Sequence, residues 1–338
     1  MTDTTTTTAP ADNQVRKMTA VEAINLALHD AMEADAKVLV LGEEVADPQE
    51  GGVMGVTKGL STKFGEDRVK STPISEQAII GAAIGAAVGG YKPVAEIMLM
   101  NFVTVAMDMI INHAAKLRFM SGGQTGVPMV IRTMTGAGFS TGGQHSDYWE
   151  AWFAHAPGIK VVAPSNPDDA YGLMRAAIDD PDPVLFIENL PSYWTPAPVT
   201  KQIIPIGKAR IAREGSDVTV IAHSLMVTHS LAVAEKLSGE GVSVEVIDLR
   251  TISPWDKETV LASVRKTGRA VVVHEAVKQF GIGAEIASVI TEELWGTLKR
   301  PVERVGAAFS SVPFSKPLET AFAPQPDTIA AAIKAALA

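Results

Sequence analysis

Apolar residues recur at helical spacing near the start of the chain and at strand spacing through much of the rest. Thr19-Ala-Val-Glu22 fits a capping box, and Val21, Ile24, Leu28 and Met32 follow on one face, so the pattern predicts an amphipathic helix starting near residue 19. Short β-branched runs come next: KVLVL from Lys37, VAEIM from Val94, MVIRT from Met129, KVVA from Lys160 and VLFIE from Val184. Each is separated from the next by a helix-length segment, and such alternation predicts a mostly parallel sheet covered on both faces. Pro191, Pro196, Pro198 and Pro205 then punctuate a stretch of little periodicity that reads as a linker. The alternation resumes with VTVIA from Val218, VSVEVI from Val242, AVVVH from Ala270 and VERV from Val302, which predicts a second, smaller α/β domain with the boundary near residue 200. No repeat of 20 to 50 residues is visible.

Composition narrows the function classes. The chain has 338 residues, 46% of them hydrophobic, with a mean hydropathy of +0.16, enough for two domain cores. Its longest nearly unbroken apolar run, Ala78 to Tyr91, is shorter than the roughly 20 residues a membrane-spanning helix needs. There are no cysteines, which removes disulfides, thiolate nucleophiles and thiolate metal sites. The opening MTDTTTTTAPADNQ has neither an apolar core nor an Arg-rich face and reads as a disordered tail over residues 1–14. A net charge of −9 argues against nucleic-acid and anionic-membrane partners.

Several motif matches carry little. Gly138-Phe-Ser140-Thr-Gly142 spells the nucleophile-elbow pattern, yet the preceding strand ends near Thr133 and more glycine follows, so a flexible loop is expected instead. Gly281-Ile-Gly283 lacks the third glycine of the dinucleotide fingerprint, since Ile286 stands there. No phosphate-cradling G-x-x-x-x-G-K-[ST] occurs. His29, His113, His223, His229 and His274 lack paired metal-ligand spacing, and structural roles are expected for them.

Two features remain. Pro73 ends one segment and Ser75 is placed to cap the next, which puts Glu76 in a first helical turn. An acid there can simply complement the helix dipole. Gly81, Gly85 and Gly89, however, give the same helix a bare face that suggests a closely packed partner, and a carboxyl beside it would be poorly hydrated, with a raised proton affinity. The second feature is Gly142-Gly143-Gln144-His145-Ser146, a loop expected to enter a helix over Asp147–His155 and to present an imidazole to a substrate.

LGEEV at 41–45, TPISE at 72–76, GAAIGAAVGG at 81–90, QHS at 144–146, HAPGIKVVAPSNPDDAYGL at 155–173, PVLFIEN at 183–189 and FGIGAEI at 280–286 resemble the beta subunits of thiamine-diphosphate-dependent 2-oxoacid dehydrogenases, the family of the pyruvate, branched-chain and acetoin first components. The resemblance runs from about residue 15 to the C-terminus. It implies two doubly wound α/β domains: a pyrimidine-binding domain over 15–195, a linker over 196–206 and a transketolase C-terminal-like domain over 207–338. It implies that Glu76 hydrogen-bonds the pyrimidine N1′ of thiamine diphosphate, drives the 4′-amino group to its imino form and so leads to loss of the C2 proton. A carboxyl kept protonated suits that task.

The resemblance further implies that Ile74, Met98 and Phe102 line the pyrimidine pocket, and that His145 acts on the substrate or the lipoyl group. The carbonyls of Met129, Ala177, Ile178 and Asp180, with the side chain of Asp182, would surround a structural potassium ion; asparagine is common in the family at 182. No GDG segment occurs, so the Mg²⁺ and diphosphate half of the site is implied to lie on a separate alpha subunit in an α2β2 heterotetramer. GGVMGVTKGL at 51–60 and VIRTMTGAGF at 130–139 look more like the acetoin-type members. The expected activity is oxidative decarboxylation of a 2-oxoacid, or acetoin cleavage, with acyl transfer to a lipoyl acyltransferase component, in the cytoplasm. The alternatives are a self-contained transketolase-like enzyme and a non-catalytic scaffold subunit.

Overall fold

A computed structural model describes residues 15–338; the tail expected over 1–14 lies outside the described residues. Along the chain run β1 (Arg16–Met18), β2 (Val38–Glu43), β3 (Val69–Thr72), β4 (Lys92–Leu99), β5 (Val130–Thr135), β6 (Lys160–Val162), β7 (Val184–Asn189) and β8 (Ala197–Val199). The second half adds β9 (Arg210–Arg213), β10 (Val218–Ala222), β11 (Val244–Asp248), β12 (Thr251–Ser253), β13 (Ala270–Val277) and β14 (Glu303–Ala307). The first sheet has the order β12-β6-β7-β5-β4-β2-β3 and the second β14-β13-β10-β11-β9. All neighbours in the first sheet are parallel except β12 on β6. In the second, only β9 is antiparallel.

Most of the strands that pattern alone predicted are buried: both faces of β5, β7, β10 and β11 are covered, and their few polar residues are buried with them, whereas β2 alternates and β14 is half-buried. The helix Ala20–Ala34 begins where its capping box predicts: Thr19 Oγ1 accepts the Glu22 N–H at 3.2 Å, and Glu22 Oε2 accepts the Thr19 N–H at 2.8 Å.

Two segments depart from expectation. The stretch read as a linker contains β8, which pairs antiparallel with β1 and clasps the two ends of the first domain together. β12, from the second half of the sequence, extends the first sheet at its β6 edge. The halves also share a core, in which Ile79, Ile110 and Leu185 belong to one buried cluster with Ile221, Ile247, Val272 and Ile286. Among the described residues no helix is long and apolar enough to cross a membrane.

The Gly281-Ile-Gly283 pair has a packing explanation. A Cβ on Gly281 would lie 2.5 Å from His274 Cε1, and one on Gly283 would lie 2.9 Å from His274 Cδ2. The glycines make room for a buried histidine whose Nδ1 contacts the Ala276 carbonyl at 3.1 Å. Burial holds that imidazole neutral, with a pKa of about 4.

Candidate functional site

In an open parallel sheet, ligands bind beyond the carboxyl ends of the strands, where the order reverses. Here the chain moves from β2 out to β3 and back to β4, so the reversal lies around β2 and β4. Ile74 and Glu76 follow β3, Met98 ends β4, Phe102 sits on the turn of helix Met100–Val103, and His145 lies on the loop after β5. Three strands, β3, β4 and β5, with β2 lying between β3 and β4 at roughly 4.8 Å spacing, thus deliver the predicted residues to the carboxyl end of one sheet.

Glu76 is the first residue of the helix Glu76–Val88 and is half-buried. Ser75 occupies the N-cap position but its hydroxyl makes no capping bond, so Glu76 supplies the negative charge at that helix end. Ile74 is 82% exposed. Beside them, burial foremost and then the charges of Glu76, Glu44 and Glu96 raise the pKa of Glu43 at the end of β2. The poor hydration expected for Glu76 does not arise within the described residues. A Cβ on Gly81 would meet only Met109 Sδ at 3.6 Å, and one on Gly85 would meet nothing within 4 Å. Gln77, Ala78, Ala82, Gly85 and Val88 are exposed, so the bare helix face has no partner among the described residues.

At the other end, Phe102 and His145 meet edge to face, with centroids 5.6 Å apart at 77°. Asn101 Nδ2 donates to the Gly143 carbonyl and to Asp147 Oδ2, both at 2.9 Å, and Thr135 Oγ1 donates to the Asp147 carbonyl at 2.6 Å. These bonds explain a correction. The helix expected over 147–155 forms only at Glu150–Ala154, because Asp147 is held by the neighbouring strand and helix rather than acting as a cap. Ser140 has φ +57° in a loop and no helix follows it, so the elbow geometry is absent.

Sequence reasoning missed the buried charges nearby, although each interrupts an apolar strand run. Arg132 on β5 donates to Glu188 Oε1 and Oε2 at 2.6 and 2.8 Å and to Glu96 Oε2 at 2.5 Å, and the Tyr193 hydroxyl also donates to Glu188. All four side chains are buried. A charge in the middle of a strand covered on both faces must find such a partner, and that is the signal in VAEIM, VIRTM and LFIEN. A second buried group joins the domains: Tyr148, whose ring lies 6.0 Å from that of His223, and the carboxyls of Glu150 and Glu275. Burial pushes Glu150 up to about 8 and Glu275 up to about 7, and drives His223 down to about 3.

Of the cation-binding positions implied by the resemblance, Ala177, Ile178 and Asp180 lie at the C-terminal end of helix Pro167–Asp179, where carbonyls carry the negative end of the helix dipole, and Met129 directly precedes β5. Met129 O accepts the Val184 N–H at 2.9 Å and Ala177 O the Asp180 N–H at 3.3 Å. The carboxylates already have cations: Lys160 Nζ lies 2.7 Å from both oxygens of Asp180, and Arg118 Nε lies 2.5 Å from Asp182 Oδ1. The Asp182 side chain is therefore engaged, and only main-chain oxygens are left for an ion. Among the described residues no group of three or more His, Cys, Asp or Glu side chains is arranged to hold a metal.

Comparison with known proteins places this geometry. Residues 16–193 match the transketolase pyrimidine binding domain and residues 207–329 the transketolase C-terminal domain. The chain is 47% identical over 327 residues to pyruvate dehydrogenase E1 component subunit beta-2, mitochondrial, of Oryza sativa subsp. japonica, covering 95% of this chain and 86% of that one. It is 45% identical over 329 residues to the acetoin:2,6-dichlorophenolindophenol oxidoreductase subunit beta of Cupriavidus necator, covering 94% and 97%. Among solved structures, a split-gene transketolase described as an inactive beta4 tetramer superposes with a TM-score of 0.78 at 23% identity, over 95% of this chain and 98% of that one. At that identity the likeness speaks for the fold.

Proposed function

Because the chain belongs to the beta subunits of the first component of 2-oxoacid and acetoin dehydrogenases, we propose that it forms the pyrimidine half of a thiamine diphosphate site, completed by an alpha subunit. One observation carries this reading. A carboxyl, an aliphatic, a thioether and a phenyl side chain (Glu76, Ile74, Met98 and Phe102) are delivered together to the carboxyl edge of the parallel sheet, next to an open helix face. That donor set suits an aromatic heterocycle: apolar groups against its faces and edges, a carboxyl for a ring nitrogen.

When bound, thiamine diphosphate supplies a nucleophilic carbon that adds to the carbonyl of a 2-oxoacid or of acetoin. Glu76 holds a proton at the pyrimidine N1′ from its place in the first turn of the helix that follows β3. Phe102 packs beside the ring and steadies His145. His145 faces the substrate or the lipoyl group and moves a proton during acyl transfer. Mg²⁺ and the diphosphate are assigned to the alpha subunit of an α2β2 assembly, and the acyl acceptor to a lipoyl acyltransferase component. A monovalent cation is assigned to the carbonyls of Met129, Ala177, Ile178 and Asp180, with the Asp182 side chain leaving the set because Arg118 engages it.

The purified chain alone should be inactive. Co-expression with its alpha subunit, thiamine diphosphate and Mg²⁺ should yield activity with an artificial dye acceptor, and a panel of pyruvate, acetoin and branched-chain 2-oxoacids then identifies the acyl donor. Activity of the isolated chain would overturn the half-site reading in favour of a self-contained transketolase-like enzyme. An assembled but inert complex would favour a scaffold.

A further inference from the structure

The loop bearing His145 is held from two directions. Its second half is fixed by its own domain, through Asn101 and Thr135. Its first half is fixed by the other domain. The Gly138 N–H donates to Glu319 Oε1 at 2.6 Å, and the Ser140 N–H donates to the same oxygen at 3.1 Å and to Oε2 at 3.2 Å. Glu319 is 2% exposed, on the helix Lys316–Phe322, about 180 residues further along the chain. Lys316 Nζ closes the contact by donating to the Gly138 carbonyl at 2.5 Å, and the Ala137 N–H donates to Glu275 Oε1 at 2.8 Å.

Ser140 has φ +57°, a conformation a non-glycine residue adopts only where its surroundings impose it. The N–H groups of residues 138 and 140, two positions apart, turn onto one carboxylate in the manner of a backbone nest, which supplies that imposition. Gly142 lies directly against the Phe314 ring, and the His145 N–H returns to the Gly142 carbonyl at 3.2 Å. An unbroken chain of contacts therefore runs from Glu319 through the Gly138–Ser140 nest and Gly142 to His145.

We propose that Glu319 is a positioning residue for His145: its carboxylate holds the first half of the loop and so fixes where the imidazole stands beside Phe102. The proposal rests on the assignment of His145 to acyl transfer. It gives the C-terminal domain a direct part in the reaction, because a misplacement of about 1 Å at a reacting group can cost on the order of a hundredfold in rate.

The test uses the assembled alpha–beta complex carrying Glu319→Ala, Glu319→Gln, His145→Ala and the double variant Glu319→Ala/His145→Ala. The readout is the ratio of the lipoyl-dependent rate to the rate with an artificial dye acceptor. Glu319→Ala should lower that ratio at least tenfold. Glu319→Gln should restore it to within about threefold of wild type, since the single amide oxygen can accept both N–H groups that now share Oε1. The double variant should be no worse than His145→Ala alone. A Glu319→Ala complex whose two rates are unchanged or fall equally, or a double variant whose losses multiply, overturns the proposal. If Glu319→Ala does not assemble, Glu319→Asp applies the same criteria with a carboxylate withdrawn by one methylene. If His145→Ala leaves the lipoyl-dependent rate unchanged, the assignment of His145 fails by itself. Glu319 is then judged by amide hydrogen exchange over residues 137–143: faster exchange in Glu319→Ala supports the loop contact and unchanged exchange rejects it.

Discussion

The two ends of the candidate site are built in opposite ways. Around Glu76 the chain leaves a helix start half-open, an isoleucine 82% exposed and a glycine at 85 with nothing in front of it. Around His145 a loop is tied down by Asn101 and Thr135 on one side and by Glu275, Phe314 and Glu319 on the other. The first end requires another surface to exclude water from its carboxyl, and the second is finished within one chain. On the proposed assignment, the group that exchanges protons with the cofactor sits at the open end, where an alpha subunit would close over it, and the group that meets substrate is prearranged.

The largest effect should come from the open end. Glu76→Gln keeps the shape but cannot shuttle a proton at the pyrimidine, so exchange of the thiamine C2 proton in the assembled complex should fall by on the order of 10² to 10⁴, the usual range for a general acid–base group. His145→Ala should act instead on transfer to the lipoyl group, separating the two ends kinetically. Undiminished C2 exchange in Glu76→Gln would remove Glu76 from the assignment and the comparison with it.

A smaller effect probes the closed interior behind His145. Neither oxygen of Glu150 has a hydrogen-bond partner among the described residues, its side chain is fully buried, and its pKa is pushed up to about 8. A raised folded-state pKa means that the neutral carboxyl is the form the fold accepts. Its contribution to stability is complete below about pH 4.5 and is lost as pH rises through about 8. Glu275, raised to about 7, acts with the same sign. His223, lowered to about 3, acts oppositely: its contribution is present above about pH 6.5 and is lost as pH falls towards 3. Glu150→Gln should therefore raise stability at pH 9 by up to about 5 kcal/mol and at pH 5 by less than about 1 kcal/mol. Urea midpoints across that range measure it, and a gain of equal size at both pH values would mean that ionisation of Glu150 is not the cause.

What could be read in advance divides along the same line of local against distant contacts. Buried parallel strands announce themselves as β-branched runs, and the Thr19 capping box marks its helix because both partners lie within three residues. β1, β3, β8, β9 and β12 escaped notice because they are short, polar or proline-bearing pieces, and β12 gains its meaning only by pairing with β6 some 90 residues earlier. Glu76 and His145 could be proposed as site residues because long local motifs surround them, and the structure brings them to the carboxyl end of one sheet. Glu319 carried no local sign, since its partners are the N–H groups of Gly138 and Ser140, about 180 residues away. Glu275 did carry one: a charged residue beside a histidine inside an otherwise apolar strand run. The pairing of Arg118 with Asp182 could not be read from the pattern alone, because the two residues lie more than 60 positions apart.

The finest test of the comparison uses two glycines. Gly85 stands inside a helix with no atom within 4 Å of a would-be Cβ, so in the isolated chain Gly85→Ala should stabilise by up to about 1 kcal/mol through reduced backbone entropy. Gly142 has φ +73°, where an L-residue pays about 1 to 2 kcal/mol, and its Cβ would fall 2.4 Å from Phe314 ring atoms. Phe314 is exposed enough to swing aside, so the backbone strain should set the loss in Gly142→Ala at about 1 kcal/mol. In the assembled complex the order should invert for the open end. If the bare face is covered by the alpha subunit, the added methyl at 85 has to be accommodated there, and the tetramer should dissociate at lower dilution than wild type while the free chain melts higher. Sedimentation of the complex and thermal melts of the free chain measure the two halves of that statement. A Gly85→Ala complex as tight as wild type would show that the partner closes over Glu76 from some other side.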